Sequence, residues 1–92
     1  MRDRIERRLR QALEAELVEV VDESHLHVGH AGAQSGGGHF RALIVSPRFR
    51  GASRVERQRQ VYAALAQEME SEIHALSMQT LTPEEWAERG AS

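Results

Sequence analysis

The chain has no cysteine, which excludes disulfides and any metal site built on its own thiolates. It also has no lysine, so all 12 of its basic residues are arginine. Phenylalanine, tyrosine and tryptophan together make up 4% of the residues, which leaves little platform for stacking nucleic-acid bases. No apolar run approaches the roughly 18 residues that span a bilayer. The start, Met1-Arg2-Asp3-Arg4-Ile5-Glu6, is charged from the outset and lacks the apolar segment of a secretory leader. The absence of cysteine also fits a reducing compartment. A soluble cytoplasmic protein is the expectation.

The 92 residues make one domain, and chains of this size bury a little over about 60% of their unfolded surface. A hydrophobic fraction of 40% is ordinary for a folded protein. The net charge of -2 matters less than its distribution. Arg41, Arg48, Arg50, Arg54, Arg57 and Arg59 fall in one stretch in which Glu56 is the only acid, whereas the other acids gather mainly in residues 14–23 and 68–88. The result is a locally basic surface, although such runs are commonly a solvated face.

The histidines carry the most information. Asp22-Glu23-Ser24-His25-Leu26-His27-Val28-Gly29-His30 places three of the five at the exit of a strand. His39 follows a glycine-rich loop, and His74 opens the apolar run Ile73-His74-Ala75-Leu76. Imidazole is a common metal ligand and titrates nearest neutral pH. A chain that gathers imidazoles without thiolates suggests a nitrogen-donor site. His39 reads as a structural residue at the start of a strand, within reach of such a site across the hairpin.

Periodicity organises the chain as α-β-β-α-β-α. Ile5, Leu9, Ala12 and Leu13 form one side of a helix over about residues 2–15. Residues 17–22 read as a short β-branched strand and residues 39–46 as a second strand, and the connecting loop is too short for a helical crossover, so they pair antiparallel. Ser53-Arg54-Val55-Glu56 is a capping box opening a helix to about residue 70, with an early break expected. Residues 73–81 form a third strand. Thr82-Pro83-Glu84-Glu85 starts a last helix, which Trp86 is expected to anchor on the core. The expected fold is an α+β sandwich with a three-stranded mixed sheet, a flexible loop at about 28–38 and a short tail at 89–92.

No catalytic triad and no pair of catalytic carboxylates emerges. Asp22 and Glu23 are adjacent, so on a strand they point to opposite faces. The glycine loop lacks the lysine and strand–loop–helix setting of a phosphate-binding loop. An enzyme is not expected.

In this order and spacing the residues resemble the BolA family. The resemblance runs from the first helix to Trp86. It rests on Asp22-Glu23-Ser24 before the histidine loop, His39-Phe40, Ser46-Pro47-Arg48-Phe49-Arg50-Gly51, Arg57-Gln58-Arg59-Gln60-Val61-Tyr62, Ile73-His74-Ala75-Leu76 and Thr82-Pro83-Glu84-Glu85-Trp86. The family usually has Arg-His-Arg where this chain has Arg57-Gln58-Arg59, so no role of that middle histidine transfers.

The resemblance implies a fold similar to class II KH domains and pairing with a monothiol glutaredoxin. It also implies a [2Fe–2S] cluster shared with that partner and glutathione. His74 would be one ligand of the cluster, and the other would be His27, with His30 and His25 as substitutes. A cysteine-free chain with ligand histidines would complete such a cluster without carrying one alone. Some relatives are described as transcriptional regulators. The alternative is therefore a DNA-binding regulator using Arg48, Arg50, Arg54, Arg57 and Arg59. Gly51-Ala52-Ser53-Arg54 is not the Gly-x-x-Gly loop with which KH modules grip nucleic acid, so weak DNA binding is expected. A third reading is a simple histidine-loop metal binder.

Overall fold

A computed structural model of the protein describes residues 2–23 and 38–91. Helix α1 is Arg2–Leu13, strand β1 Leu17–Asp22 and strand β2 Gly38–Val45. A 3₁₀ turn at Pro47–Phe49 leads to α2 (Arg54–Ala64) and α3 (Ala66–Ser71), followed by β3 (Ile73–Leu81) and α4 (Pro83–Ala91). The three strands lie in the order β1-β2-β3. β1 pairs antiparallel to β2, and β3 pairs parallel to it, giving the mixed sheet and the α+β class read from the sequence. The loop expected from His25 to Gly38, with its flexible part at about 28–38 and with His25, His27 and His30, lies outside the described residues except for Gly38.

One face of the sheet and one stripe of each early helix make the core. Ile5, Leu9 and Leu13 recur every four residues on α1 and are fully or almost fully buried. They meet Val18 and Val20 of β1, Phe40, Ala42 and Ile44 of β2, and Val61 and Leu65 after them. In β1 and β2 the alternation of buried and exposed residues is the period of two that a half-covered sheet requires.

α1 ends two residues before the expected boundary because Glu14 adopts a left-handed backbone with φ 50°. That conformation closes the last turn, with the Ala15 N–H donating to the Arg10 carbonyl at 3.3 Å. The buried Ser46 hydroxyl then donates to the Leu13 carbonyl and accepts from the Arg48 N–H, joining the end of α1 to the 3₁₀ turn. Both expected helix starts form as reciprocal caps. Ser53 and Glu56 exchange bonds of 2.8 and 3.1 Å, and Thr82 and Glu85 do the same at the same distances.

Three expectations need correction. The break in the second long helix falls late, at Leu65, and not early. Hydrogen bonds from Leu65 to Val61 and from Met69 to Leu65 carry on through it, so the break is a backbone kink (φ -109°, ψ 22°) at a fully buried leucine. Trp86 is not a core anchor: it is 40% exposed and lies near Leu43 and Gln79. α4 is held instead by polar contacts, because the helices carrying the core already cover the sheet's other face. The residues read as a tail at 89–91 continue α4.

Candidate functional site

The pairing of β2 with β3 is regular except at its start. Gly38 lies opposite Ile73, but the next residue, His39, lies opposite Ala75, so β3 carries one extra residue there, His74. This is a bulge, a device that re-aims a side chain and frequently marks functional sites. It leaves the imidazoles of His39 and His74 beside each other, with ring centroids 5.1 Å apart and planes tilted by 48°. His74 is exposed and His39 half-buried.

The backbone around this pair is tied down on both strands. The Gly38 N–H donates to the Glu72 carbonyl at 2.8 Å, immediately before Ile73 and His74. The Glu23 N–H donates to the His39 carbonyl at 2.7 Å. The Glu23 carboxylate also pairs with Arg41 at 2.9 Å. On the far side, Arg4 of α1 reaches Glu72 at 3.1 Å and Glu68 at the same distance, so the first helix braces the turn that feeds His74.

Glu68 is the least expected member of this brace. Its side chain is fully buried, and the Nε atoms of Arg4 and Arg8 approach one carboxylate oxygen at 3.1 and 3.3 Å. Neither contact has hydrogen-bond geometry, and both Glu68 oxygens lack a hydrogen-bond partner among the described residues. The carboxylate is therefore held by charge alone in a place water does not reach. The sequence carried a signal for it: Arg4 and Arg8 stand one turn apart on α1, and Glu68 follows the apolar stripe of Val61 and Leu65 at helical spacing.

The basic stretch does not form one free surface. Arg48 pairs with Glu14 at 3.4 Å. The Arg50 Nε donates to Glu84 at 2.8 Å, and this contact holds the Glu84 carboxyl below its ordinary value and the Arg50 guanidinium above it. Arg57 is mostly enclosed, with 14% of its side chain exposed, and it contacts Glu85, Thr80 and Ala52 while lying over the Phe49 ring. Arg54 and Arg59 remain exposed and hold no ion pair among the described residues.

Of the candidate site residues, the structure joins His74 to His39, the strand-start residue expected within reach of the site across the hairpin. His27, His25 and His30 lie outside the described residues. No group of three or more histidine, aspartate or glutamate side chains suited to one metal ion occurs among the described residues. No helix is long and apolar enough to cross a membrane among those residues.

A small α+β domain with a three-stranded mixed sheet and a paired-histidine bulge at one sheet end defines a class, and comparison with known proteins gives the family. The profile described as BolA-like protein matches residues 9–85, and the chain belongs to the BolA family. It is 43% identical over 86 residues to the DNA-binding transcriptional regulator BolA of Escherichia coli (strain K12), an alignment covering 94% of this chain and 79% of that one. It is also 43% identical over 84 residues to BolA-like protein 1 of Pongo abelii, covering 91% of this chain but only 59% of the relative. Among solved structures, a bol-like protein from Babesia bovis superposes with a TM-score of 0.81 at 38% identity, covering 98% of this chain and 93% of that one. Neither curated relative bears the name of an enzyme.

Proposed function

We propose that this chain is a cytoplasmic, non-enzymatic adaptor that pairs with a monothiol glutaredoxin and supplies histidine ligands to a shared [2Fe–2S] cluster. Its role would lie in iron–sulfur trafficking or in iron and redox signalling. The observation that carries the reading is the exposed His74 at a bulge, beside a second imidazole, in a chain with no cysteine. Two imidazoles on one iron have a precedent in Rieske centres, where they raise the reduction potential relative to all-thiolate ligation. The donor set here fits that half of a cluster. The thiolates for the other iron must come from outside the chain, from the glutaredoxin and glutathione. Bound there, the cluster would supply electron or cluster transfer, while this chain's residues hold and orient the imidazoles: the bulge at His74, the Gly38–Glu72 bond and the Arg4 brace.

The test is the visible spectrum of the protein mixed with a monothiol glutaredoxin, glutathione, iron and sulfide. The mixture should develop cluster absorption that the protein alone does not hold, and His74→Ala should alter its spectrum or lifetime more than His25→Ala. Identical spectra for the parent, His74→Ala and His27→Ala mixtures would refute histidine ligation.

A second reading, a DNA-binding regulator, is favoured by the name of the Escherichia coli relative and by the exposed Arg54 and Arg59 on α2. A fold alone does not fix a function. With few aromatics and three of the five candidate arginines already engaged by carboxylates, the adaptor reading ranks first.

A further inference from the structure

Among the described residues, the face of the sheet turned away from the core is only half covered. Strand register sets out its cross-strand rows: Leu17–Val45–Leu81, then Glu19–Leu43–Gln79, then Val21–Arg41–Ser77. The first row is closed at the sheet end where α4 begins, with Val45 1% exposed. In the next two rows five of the six residues are exposed, and Leu43 is half-buried. Val21 and Trp86 are two of the four large apolar residues left exposed among those described.

α4 occupies the covered half. Its Trp86 and Arg89, three residues apart and so on one side of the helix, line a hollow of about 310 Å³ with Leu43 and Gln79. A second hollow of about 260 Å³, lined by Glu19, Val21, Arg41, Ala42, Leu43 and Gln79, shares two of those residues. The two join into one trough that runs from α4 across the central strand to the edge strand β1. With strands about 4.8 Å apart, the open β1–β2 side is about 10 Å wide, the diameter of one helix with its side chains.

We propose that this trough is filled by α4 of a second copy of the chain, in a two-fold dimer whose outer sheet faces oppose one another. The face is half helix and half vacancy. A copy given half a turn about an axis along the strands therefore offers its helix to the vacancy and its vacancy to the helix. The same turn exchanges the β1 flank with the α4 flank, which sets the Glu19 carboxylate of each copy against Arg89 of the other. Glu19 is exposed and has no partner among the described residues. Arg89 has a contact within its own chain, but a guanidinium carries five N–H donors and can serve a second carboxylate. Arg41, between the flanks, is already engaged by Glu23. With one charge sign on each flank, the face selects neither an acidic nor a basic partner helix. It is complementary to itself, which is what an isologous contact requires.

The trough and the adjoining flank of α4 offer on the order of 400 Å² per copy, from strand and helix spacings. Stable complexes bury about 800 Å² per partner, so this dimer is weak, with a dissociation constant between about 10 μM and 1 mM. The contact centres on Leu43 and Gln79, near the opposite end of β3 from His74, so the proposal does not rest on the adaptor reading.

The experiment is sedimentation velocity of the full chain from about 5 μM to 1 mM in about 50 mM salt, with amide, indole and methyl NMR spectra over the same range. A reversible monomer–dimer equilibrium is expected, with concentration-dependent shifts at the Trp86 indole and the Val21 and Leu43 methyls. Trp86→Ala, Glu19→Arg and Arg89→Glu should each weaken the dimer at least about tenfold, with circular dichroism confirming that the variants fold. If Trp86→Ala does not fold, the Trp86 indole shift of the parent protein on dilution decides in its place. An equimolar mixture of Glu19→Arg and Arg89→Glu should regain the dimer, because each charge then meets its opposite across the axis. A parent chain that stays monomeric at about 1 mM overturns the proposal and leaves the trough to a different protein's helix. A dimer unmoved by Trp86→Ala and by both charge reversals also overturns it, as does an equimolar mixture no tighter than its components.

Discussion

Arg57 of α2 and Glu85 of α4 meet at 2.8 Å, and the same guanidinium holds the carbonyls of Ala52 and Thr80 at 3.0 Å each. Glu85 in turn accepts the Thr82 N–H at 2.8 Å, so one ion pair ties the second helix, the end of β3 and the cap of α4 into a unit. This contact, and not the burial of Trp86, seats the last helix.

Arg57→Ala should cost roughly 2–3 kcal/mol of stability, because two carbonyls and a carboxylate lose a donor together. Arg57→Lys should recover little, since an ammonium cannot fork to three acceptors. Arg54→Ala, three residues earlier and exposed, should stay within about 0.5 kcal/mol. Urea unfolding of the three variants checks this, and an equal loss at both positions would remove Arg57 from its structural role.

Three carboxyls set the acid limb of stability. Arg57 holds Glu85 below its ordinary value, Arg50 does so for Glu84, and the Ser53 N–H and hydroxyl do so for Glu56. A carboxyl whose folded pKa is depressed contributes stability that is complete above its unfolded pKa and is lost as pH falls through the folded one. The protein should therefore weaken progressively below about pH 4.5. The combined variant Glu84→Gln/Glu85→Gln should be less stable at pH 7 and show a shallower decline on acidification. Urea midpoints measured between about pH 7 and 2 read this directly, and an unchanged acid limb would contradict the assignment.

Glu68 separates the cost of a buried charge from the value of its pair. Taking away Arg4 and Arg8 leaves an uncompensated buried carboxylate, and the double variant Arg4→Ala/Arg8→Ala should lose about 3–5 kcal/mol. Glu68→Met removes the charge and leaves two half-exposed arginines to hydrate, so it should be tolerated within about 1–2 kcal/mol. The reverse order in a denaturation series would show that the carboxylate itself, and not its burial, governs the fit of α3 on α1.

DNA binding, where it occurs, should be shallow in salt dependence. Arg48, Arg50 and Arg57 are engaged by carboxylates, which leaves Arg54 and Arg59 for phosphates. Each neutralised phosphate contributes about -0.9 to the slope of log affinity against log salt, so a slope near -2 is expected. A slope of about -5, with nanomolar affinity for one duplex and roughly a thousandfold preference over random DNA at about 150 mM salt, would move the regulator reading to first place.

Local rules made most of the architecture legible in the sequence. The four-residue recurrence of Ile5, Leu9 and Leu13, the β-branched run at 17–22, and the Ser53–Glu56 and Thr82–Glu85 caps each depend on spacing within one segment, and each appears where the residues require it. The absence of cysteine likewise determined that any thiolates at the site must belong to something else. What required the tertiary structure were relationships between segments. The pairing of β2 with β3 decides which residue is extra, and so sets His74 against His39, 35 positions away in the chain. Packing of α3 on α1 decides that Glu68 is buried under two arginines, and the engagement of three arginines by distant glutamates decides how little of the basic stretch is free. Strand register and helix docking are set by the shape of the whole core, and no pattern within a single segment encodes them.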